Sequence, residues 1–303
     1  MSDFVLQQSV ECSFESSDSW VILSLIEQSI KRKIESVGTP LKDWDIQINY
    51  GIKTGFNDAF IISTEKRNEI LENCSSEEER SRTAELIRPI LRGRDIKRYG
   101  YDWANLWLIA TFPSRHYDIE MYPAVKAHLL SFGKERLEQT GKKYRINGEE
   151  VKARKKTSNK WFETQDSISY WEDFFKPKVM WKRIGSIIRF SYSDNNIFGL
   201  DSTCFAIGRN IEYLCCILNS PMGHYLLKDA PKTGTGDLLV SVQAVDPIRI
   251  PIITEEQNKL FSNLLINLIK NNFDSEIEEI NNTIFKLYNL SYEEQRYIME
   301  NFM

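Results

Sequence analysis

The sequence predicts an α+β protein in which a β-rich region with mixed or antiparallel strand pairing is accompanied by an N-terminal helix and a C-terminal helical hairpin. Residues 20–34 have the apolar spacing of a helix, and residues 46–207 contain short β-branched and aromatic runs between turn-forming clusters. After Pro251, helix-start signals precede apolar stripes. We therefore expect an N-terminal segment at 1–40, a β-rich domain at 41–252 and a helical region at 253–303.

The N-terminal helix is predicted from isoleucines that recur at every fourth position. This spacing places their side chains on one face of a helix. The positions are Ile22, Ile26, Ile30 and Ile34. Asp18 and Ser19 precede the run as start signals, and Gly38 and Pro40 follow it as stop signals.

The middle of the chain has the pattern of a sheet with irregular connections. The expected strands are residues 46–50, 59–63, 106–111, 179–181, 187–192 and 203–207. Turn-forming clusters separate them at 51–55, 92–95 and 193–196. Residues 121–137 have helical apolar spacing with Pro123 in the first turn, and the polar, basic residues 139–160 are expected to form a long exposed loop.

The C-terminal region contains three helix-start signals. Thr254 and Gln257 have capping-box spacing, Asp274 opens a second helix, and Ser291 with Glu294 caps a third. The first helix has an apolar stripe of Phe261, Leu264, Leu265, Leu268 and Ile269. The second has apolar positions at Ile277, Ile280, Ile284 and Leu287. We expect Phe261, Leu264, Leu265 and Leu268 to be buried against another helix, at residues 20–34 or 277–287.

Composition excludes several classes of protein. The five cysteines have no framework spacing and there are only three histidines, which argues against a disulfide scaffold and a structural zinc site. The first thirty residues lack the pattern of a signal peptide, and no run of about 18 apolar residues occurs. We expect a cytoplasmic, soluble protein with no metal and no membrane partner.

The net charge of −4 conceals an uneven distribution along the chain. Residues 1–80 carry a net −7, residues 81–200 a net +9 and residues 201–303 a net −6. A concentrated positive segment favours a polyanionic partner, although a solvated charged face is the commoner origin of such an excess.

Three basic clusters within this segment stand beside aromatic residues. Residues 88–98 hold five cations around a turn, and two further clusters adjoin Trp161 with Phe162, and Trp181. Arginine can read guanine or clamp phosphate, and rings can stack on bases. The competing interpretations are a solvated turn in which Asp95 pairs with a neighbour and tryptophans that belong to the core.

Two glycine-lysine segments, 51–55 and 232–236, offer backbone amides beside a lysine. Neither has the spacing of a P-loop, and no Gly-x-Gly-x-x-Gly fingerprint occurs. From spacing alone, a hairpin turn that needs positive φ at Gly51 and Gly55 is favoured over a phosphate contact.

Seven short segments in order resemble the TaqI-like C-terminal specificity domain, the target-recognition region of type II and fused type IIG restriction-modification DNA adenine methyltransferases. The segments are 51–60 (GIKTGFNDAF), 87–96 (IRPILRGRDI), 108–111 (LIAT), 122–123 (YP), 176–178 (KPK), 217–220 (ILNS) and 248–251 (IRIP). The resemblance covers roughly residues 20–300. It implies an α+β DNA-reading domain that lies across a cleft from a catalytic domain, which binds S-adenosylmethionine and flips the target adenine.

Catalytic motifs of such enzymes are missing from this sequence. No two prolines are adjacent, so the Asn/Asp-Pro-Pro-Tyr/Phe tetrad is absent, and neither a cofactor loop nor a nuclease motif occurs. We therefore expect a recognition part with no catalytic residues, no metal and no cofactor of its own. S-adenosylmethionine is expected in a catalytic methyltransferase domain or subunit that accompanies this chain, with or without a nuclease. The chain would then be a fragment of a longer protein or a separate subunit.

The expected partner is double-stranded DNA, with lysines on phosphates and some arginines and amides on base edges. The expected DNA-binding residues are Lys53, Thr54, Asn57, Arg92, Arg94, Lys97, Arg98, Lys152, Arg154, Lys155, Lys156, Lys182, Arg183, Lys232 and Thr233. Two alternatives remain open at this point: a protein-interaction module with incidental basic clusters, and a complete DNA-modifying enzyme with unfamiliar motifs.

Overall fold

A computed structural model of the chain describes residues 23–146, 148–271 and 274–302. Three residues of the predicted N-terminal helix lie outside these ranges: the start signals Asp18 and Ser19, and the first isoleucine, Ile22. The described residues form two compact units. The helical unit contains residues 23–44, 216–229 and 243–302, and the sheet unit contains residues 45–215 and 230–242. The predicted α+β class is confirmed, with antiparallel-rich sheets and helices at both ends.

The helical unit brings early and late parts of the chain together. Its helices are α1 (Leu25–Val37), α8 (Pro221–Leu226), α10 (Glu255–Asn271), α11 (Asp274–Leu287) and α12 (Tyr292–Phe302). Strand β1 (Gly38–Pro40) pairs antiparallel with β14 (Arg249–Pro251). A side chain at Gly38 would place its Cβ 2.7 Å from the Cβ of Arg249, so the close pairing requires glycine there.

Helix α1 begins at a capping box that the sequence interpretation did not include. The Ser24 backbone N–H donates to Oε2 of Glu27 at 3.0 Å, and the Glu27 N–H donates to the Ser24 hydroxyl. Ile30 is fully buried, whereas Ile26 and Ile34 are half-buried. The predicted amphipathic helix is therefore present over its described part, and it continues to Val37 before Gly38.

The C-terminal helices follow the predicted signals. Thr254 and Gln257 exchange capping hydrogen bonds, as do Ser291 and Glu294. Helix α10 packs against α11 and buries Phe261, Leu264, Leu265 and Leu268. The four residues expected to be buried are therefore confirmed, and Ile269, at the end of the apolar stripe, is 45% exposed. Its position adjoins the buried row on the solvent side of the helix.

The sheet unit contains two four-stranded sheets. The first has the order β10–β8–β12–β2 and is antiparallel throughout. Its strands are β2 (Ile46–Tyr50), β8 (Lys178–Lys182), β10 (Phe190–Ser193) and β12 (Thr203–Gly208). The second has the order β11–β4–β5–β3, with strands β3 (Ile61–Ser63), β4 (Ile87–Leu91), β5 (Leu106–Ile109) and β11 (Phe198–Gly199).

A buried aromatic cluster connects these sheets. Phe205 on β12 lies 4.4 Å from Phe174, measured between ring centroids, and Phe174 stacks on Phe198 of β11 at 4.5 Å. All three rings are almost completely buried. Because aromatic side chains bury large areas, this cluster contributes strongly to the core of the unit.

Strand β4 includes a proline that hid it from the sequence analysis. Pro89 pairs with Trp107 of β5, while β11 pairs only with the next two residues, Ile90 and Leu91. At Pro89 the strand therefore has a neighbour on one side only. The N–H that proline lacks is not needed by a strand on the other side.

The remaining elements belong wholly or partly to the sheet unit. The helices are α2 (Asn57–Phe60), α3 (Thr64–Glu72), α4 (Glu77–Leu86), α5 (Pro123–Leu130), α6 (Lys134–Leu137), α7 (Ile211–Leu218) and α9 (Val242–Val245). Two short pairs complete the strands: β6 (Lys143–Ile146) with β7 (Glu149–Lys152), and β9 (Ile184–Gly185) with β13 (Leu238–Leu239). No helix in the described ranges is long and apolar enough to cross a membrane.

Five local predictions were wrong. The strand expected at 187–192 begins only at Phe190. The loop expected at 139–160 contains the β6–β7 hairpin, and the strand expected from residue 59 begins only at Ile61, after α2. The single helix expected at 121–137 is divided into α5 and α6, with Gly133 at φ +85° between them. Residues 51–55 do not close a hairpin between neighbouring strands, because β2 and β3 belong to different sheets.

Candidate functional site

A short turn between β11 and β12 is the centre of the candidate site. In this central turn (residues 200–202), the Leu200 N–H donates to the Leu91 carbonyl and the Asp201 N–H donates to the Ile52 carbonyl, both at 2.9 Å. The segment after β2 and the segment after β4 are thereby fixed to one turn. Gly51 is required here because its Cβ would lie 2.0 Å from the Leu200 oxygen.

The segment after β4 is the arginine-rich turn of the sequence. Its backbone N–H at Gly93 donates to the Ser202 hydroxyl at 3.1 Å, and a Cβ at Gly93 would lie 2.8 Å from Cγ of Lys182. Asp95 accepts from Arg92, with 2.7 Å from Nη2 to Oδ1 and 3.0 Å from Nε to Oδ2. This bidentate bond raises the pKa of Arg92 and holds its guanidinium inside the turn.

Arg94 has a different environment from Arg92. Its side chain is exposed, and it forms no hydrogen bond or ion pair with another residue in the described part of the chain. Asp95, its neighbour, is buried and engaged with Arg92. The turn therefore presents one free guanidinium from a rigid backbone.

The end of β8 adds two cations beside the central turn. Lys182 is exposed, and the Arg183 N–H donates to the Ser202 carbonyl at 3.0 Å. The Arg183 guanidinium donates from Nη1 to the Asp201 carbonyl at 3.3 Å and lies 5.1 Å from the ring of Tyr50. The backbone and part of the guanidinium group of Arg183 are therefore hydrogen-bonded to the central turn.

The segment after β2 carries the exposed side chain of Lys53. The Lys53 carbonyl accepts from the backbone of Gln165 at 3.1 Å and of Asp166 at 3.3 Å. Burial raises the pKa of the Asp166 carboxyl, and the charges of Lys53 and Lys155 oppose this rise. Asp166 thus lies within electrostatic range of both lysines.

The loop that contains Lys232 reaches the same region through β13. The Leu239 N–H donates to the Pro231 carbonyl at 2.6 Å, and the Val240 N–H donates to the Arg183 carbonyl at 2.8 Å. Lys232 is exposed, whereas the Thr233 backbone is tied to Asp237 and its hydroxyl to Thr235. We call the exposed cations Lys53, Arg94, Lys155, Lys182 and Lys232, together with the half-buried Arg183, the basic surface.

Two residues predicted to contact DNA are structural residues in this fold. Arg154 is 4% exposed and donates to four carbonyls, those of Leu137, Thr54, Glu163 and Trp161, at 2.7–2.8 Å. Burial lowers its pKa to about 10. Thr54 is buried and donates its hydroxyl to Asn57 at 2.6 Å. Neither side chain is available to a ligand, so both assignments are corrected.

The other predicted residues lie outside the basic surface as defined here. Lys97 forms an ion pair with Asp102 at 3.4 Å, and Arg98 lies 5.2 Å from the ring of Tyr99. Asn57, Lys152 and Lys156 are exposed.

The tryptophan assigned to stacking in the third basic cluster belongs to the core. Trp181 is fully buried and donates its indole N–H to the Val240 carbonyl at 2.8 Å. Trp161 is half-buried and packs edge-to-face on Phe162 at 5.6 Å. The core interpretation is therefore correct for Trp181, and stacking on bases would need other side chains.

Sequence reasoning missed the residues that join the cations. Asp201 and Ser202 belong to no basic cluster and to no recognised motif. They do follow Gly199, and glycine, aspartate and serine are common in turns. That composition was the only local signal of the central turn. Within the described residues, no group of three or more potential metal ligands is present.

Comparison with known proteins identifies the family. Residues 88–243, just over half of the chain, match the model of the TaqI-like C-terminal specificity domain. The chain therefore belongs to that family. The matched region contains every cation of the basic surface except Lys53.

Two solved structures are similar to this chain, and the first of them shares its fold. The type IIL restriction-modification enzyme MmeI, in complex with DNA, has a TM-score of 0.55 at 12% identity, over 87% of this chain and 37% of that one. The type IIG restriction endonuclease BpuSI has a TM-score of 0.48 at 13% identity, over 89% and 33% respectively. The chain thus spans about a third of the length of either enzyme. A search of curated protein sequences gave no significant match.

Proposed function

We propose that this chain recognises a specific sequence in double-stranded DNA and acts as the specificity part of a type II restriction-modification adenine-N6 methyltransferase. The observation that carries the proposal is the convergence of three cation-bearing segments at the central turn, with the Lys232 loop bonded to one of them. All of these cations except Lys53 lie in the region that matches a specificity-domain family. These segments come from separate parts of the chain, so their meeting is a property of the fold.

The chemistry of the basic surface suits a duplex. Exposed lysines are compact, flexible charges that can neutralise phosphates without requiring one geometry. Arg94 is a free fork-shaped donor on a rigid turn, which suits bidentate contact with a guanine edge. The carboxylate of Asp166 adds an acceptor near these donors, as discrimination among bases requires.

Catalysis is proposed to lie outside this chain. S-adenosylmethionine would bind to a methyltransferase domain or subunit, with or without a nuclease, and this chain would supply the sequence information. The purified chain should therefore neither methylate nor cut DNA. Methyl transfer to adenine by the pure chain with S-adenosylmethionine would contradict this part of the proposal.

Selection of duplexes from a random pool tests the recognition itself. The purified chain, at low salt, should enrich one motif over successive rounds. A triple variant with Lys53→Glu, Lys155→Glu and Lys182→Glu should lose the enrichment. The control is a double variant, Lys270→Glu with Lys286→Glu, which changes exposed lysines of the helical unit and should keep it. Weak binding without a motif, equal in both variants, would contradict the proposal and favour a protein-interaction module.

A further inference from the structure

A second cluster of cations surrounds a small cavity in the sheet unit. The cavity has a volume of about 120 Å³ and is lined by Arg82 of α4, Arg88 of β4 and Arg115 of the 3₁₀ turn Pro113–Arg115. The only carboxylate in its lining is Glu85. None of these four residues belongs to the basic surface defined above.

Aromatic rings cover the faces of two of these guanidinium groups. The Cζ atom of Arg115 lies 4.0 Å from the ring centroid of Trp171, and the Cζ atom of Arg88 lies 5.2 Å from that of Phe175. Stacking uses the planar face of a guanidinium group and leaves the N–H donors at its edge free. Arg88 and Arg115 can therefore stack on these rings and still donate hydrogen bonds to a ligand.

The donors at these edges have few partners within the protein. Arg82 donates from Nη2 to the Met121 carbonyl at 3.3 Å, and its buried Nε has no partner. Within the described ranges, none of the three arginines forms an ion pair. Tyr117 and Tyr122, which also line the cavity, pack edge-to-face at 5.8 Å.

The charges in the lining of this cavity are unbalanced. Three cations and one carboxylate line it, and two further carboxylates, Glu78 and Glu79, lie outside the lining within electrostatic range of Arg82. Burial lowers the pKa of Arg88 because its charged form is poorly solvated. Repulsion among like charges in such a site is offset when an anion enters and accepts from several guanidinium groups at once.

We propose that the Arg82–Arg88–Arg115 cavity binds a phosphate group. Its volume is below the roughly 300–1,000 Å³ of sites that enclose whole organic ligands, so the site suits one tetrahedral oxyanion group and excludes a complete nucleotide. The same chemistry fits free inorganic phosphate and a phosphate of a nucleic-acid backbone.

Calorimetric titration of the full chain with inorganic phosphate, at constant ionic strength in chloride, tests the site. Saturable binding is expected, and Arg115→Gln should weaken it by at least about tenfold, since hydrogen bonds to charged groups are individually strong. Arg115 is exposed, so this variant should fold, which circular dichroism verifies. Glu85→Gln should tighten phosphate binding, because it removes the only carboxylate of the lining.

Two outcomes would overturn the proposal. One is the absence of saturable binding in both the unaltered chain and Glu85→Gln. The other is equal phosphate affinity in Arg115→Gln and in Lys286→Ala, which removes an exposed cation of the helical unit instead. Once binding is established, competition with a short duplex identifies the source: displacement of phosphate by DNA indicates a backbone phosphate, and simultaneous binding indicates the free ion.

Discussion

Arg92 and Arg94 are two residues apart, yet their guanidinium groups have different environments. Arg92 donates two side-chain hydrogen bonds to the Asp95 carboxylate, and Arg94 is exposed without such a partner in the described chain. The sequence interpretation treated both arginines as candidates to read guanine. The pairing with Asp95 separates them, since Arg92 cannot turn towards a base without breaking the bonds that form the turn.

Substitution of these two arginines should have different effects. Arg94→Ala should reduce affinity for the recognised duplex by about 1–3 kcal/mol and leave non-specific binding nearly unchanged. Arg92→Ala should lower thermal stability, because it leaves the buried Asp95 carboxylate without its cation. Fluorescence anisotropy and calorimetry measure the two effects. Equal loss of affinity with no loss of stability in both variants would disprove this division.

Glu27 is expected to make stability depend on pH. Burial alone would raise its pKa, but hydrogen bonds from the Ser24 backbone and from Lys228, which donates at 3.0 Å, outweigh burial and lower the pKa to about 2. Because the folded pKa lies below the unfolded value near 4.5, Glu27 stabilises the fold above pH 4.5. This contribution is lost as the pH falls towards 2.

Glu27→Gln removes this dependence. The difference in unfolding free energy between the two proteins should be constant above about pH 5.5 and shrink between about pH 4.5 and pH 2. Urea unfolding followed by circular dichroism, across that range, measures the difference. A difference that does not change with pH would show that the carboxylate is not stabilised in this way. Glu35→Gln, at an exposed position of the same helix, is the control.

Among the elements, α10 shows how far hydrophobic spacing predicts burial. The spacing of three and four residues placed Phe261, Leu264, Leu265 and Leu268 correctly, because these positions form one row on the helix. The spacing alone did not show that the neighbouring apolar residue Ile269 is exposed. Its exposure depends on how much of α10 the contact with α11 covers, which only the tertiary structure determines.

Leu265 and Ile269 therefore form a matched pair on one helix. Leu265→Ala should destabilise the helical unit by about 2–5 kcal/mol, because the side chain is fully buried and leaves a cavity. Ile269→Ala should change stability by less than roughly 0.5 kcal/mol. Urea unfolding of both variants measures the contrast. A small effect for Leu265→Ala would mean that α10 does not pack on α11 in solution.

The elements missed by the sequence analysis have identifiable causes. β4 contains Pro89, which normally argues against a strand with neighbours on both sides, and it is tolerated because β11 pairs only beyond it. The β6–β7 hairpin lies in a polar, basic segment without a core-facing alternation, although Asn147 and Gly148 form the dipeptide favoured in two-residue hairpin turns. The polar composition outweighed that turn signal.

For the whole molecule, the order of short segments predicted the family better than local chemistry predicted the site. Isolated pieces such as residues 51–55 allow several interpretations, whereas seven pieces in order describe one fold. The individual contacts were less predictable. Arg154 and Lys155 are neighbours in a basic run, and only the fold shows that one side chain is buried under four carbonyls and the other is exposed.

The dependence of DNA binding on salt should reflect the basic surface. Each neutralised phosphate contributes a slope of about 0.9 in the logarithm of affinity against the logarithm of salt concentration. Lys155→Ala should therefore reduce the slope by about 0.9 and weaken specific and non-specific duplexes alike. Lys286→Ala, an exposed lysine of the helical unit, should leave the slope unchanged. Equal slopes for the unaltered chain, Lys155→Ala and Lys286→Ala would show that Lys155 does not contact a DNA phosphate.

The pairing of β1 with β14 has a consequence for the synthesis of the protein. Gly38 must find Pro251, more than two hundred residues later, and α10 to α12 come later still. The sheet unit is nearly continuous from residue 45 to residue 215 and requires only residues 230–242 in addition. On the ribosome, the sheet unit can therefore reach its fold while β1 and much of α1 are still without their partners. These two elements are made before the sheet unit and are among the last to acquire their native contacts. A chain arrested before residue 249 would expose the apolar face of α1 to chaperones.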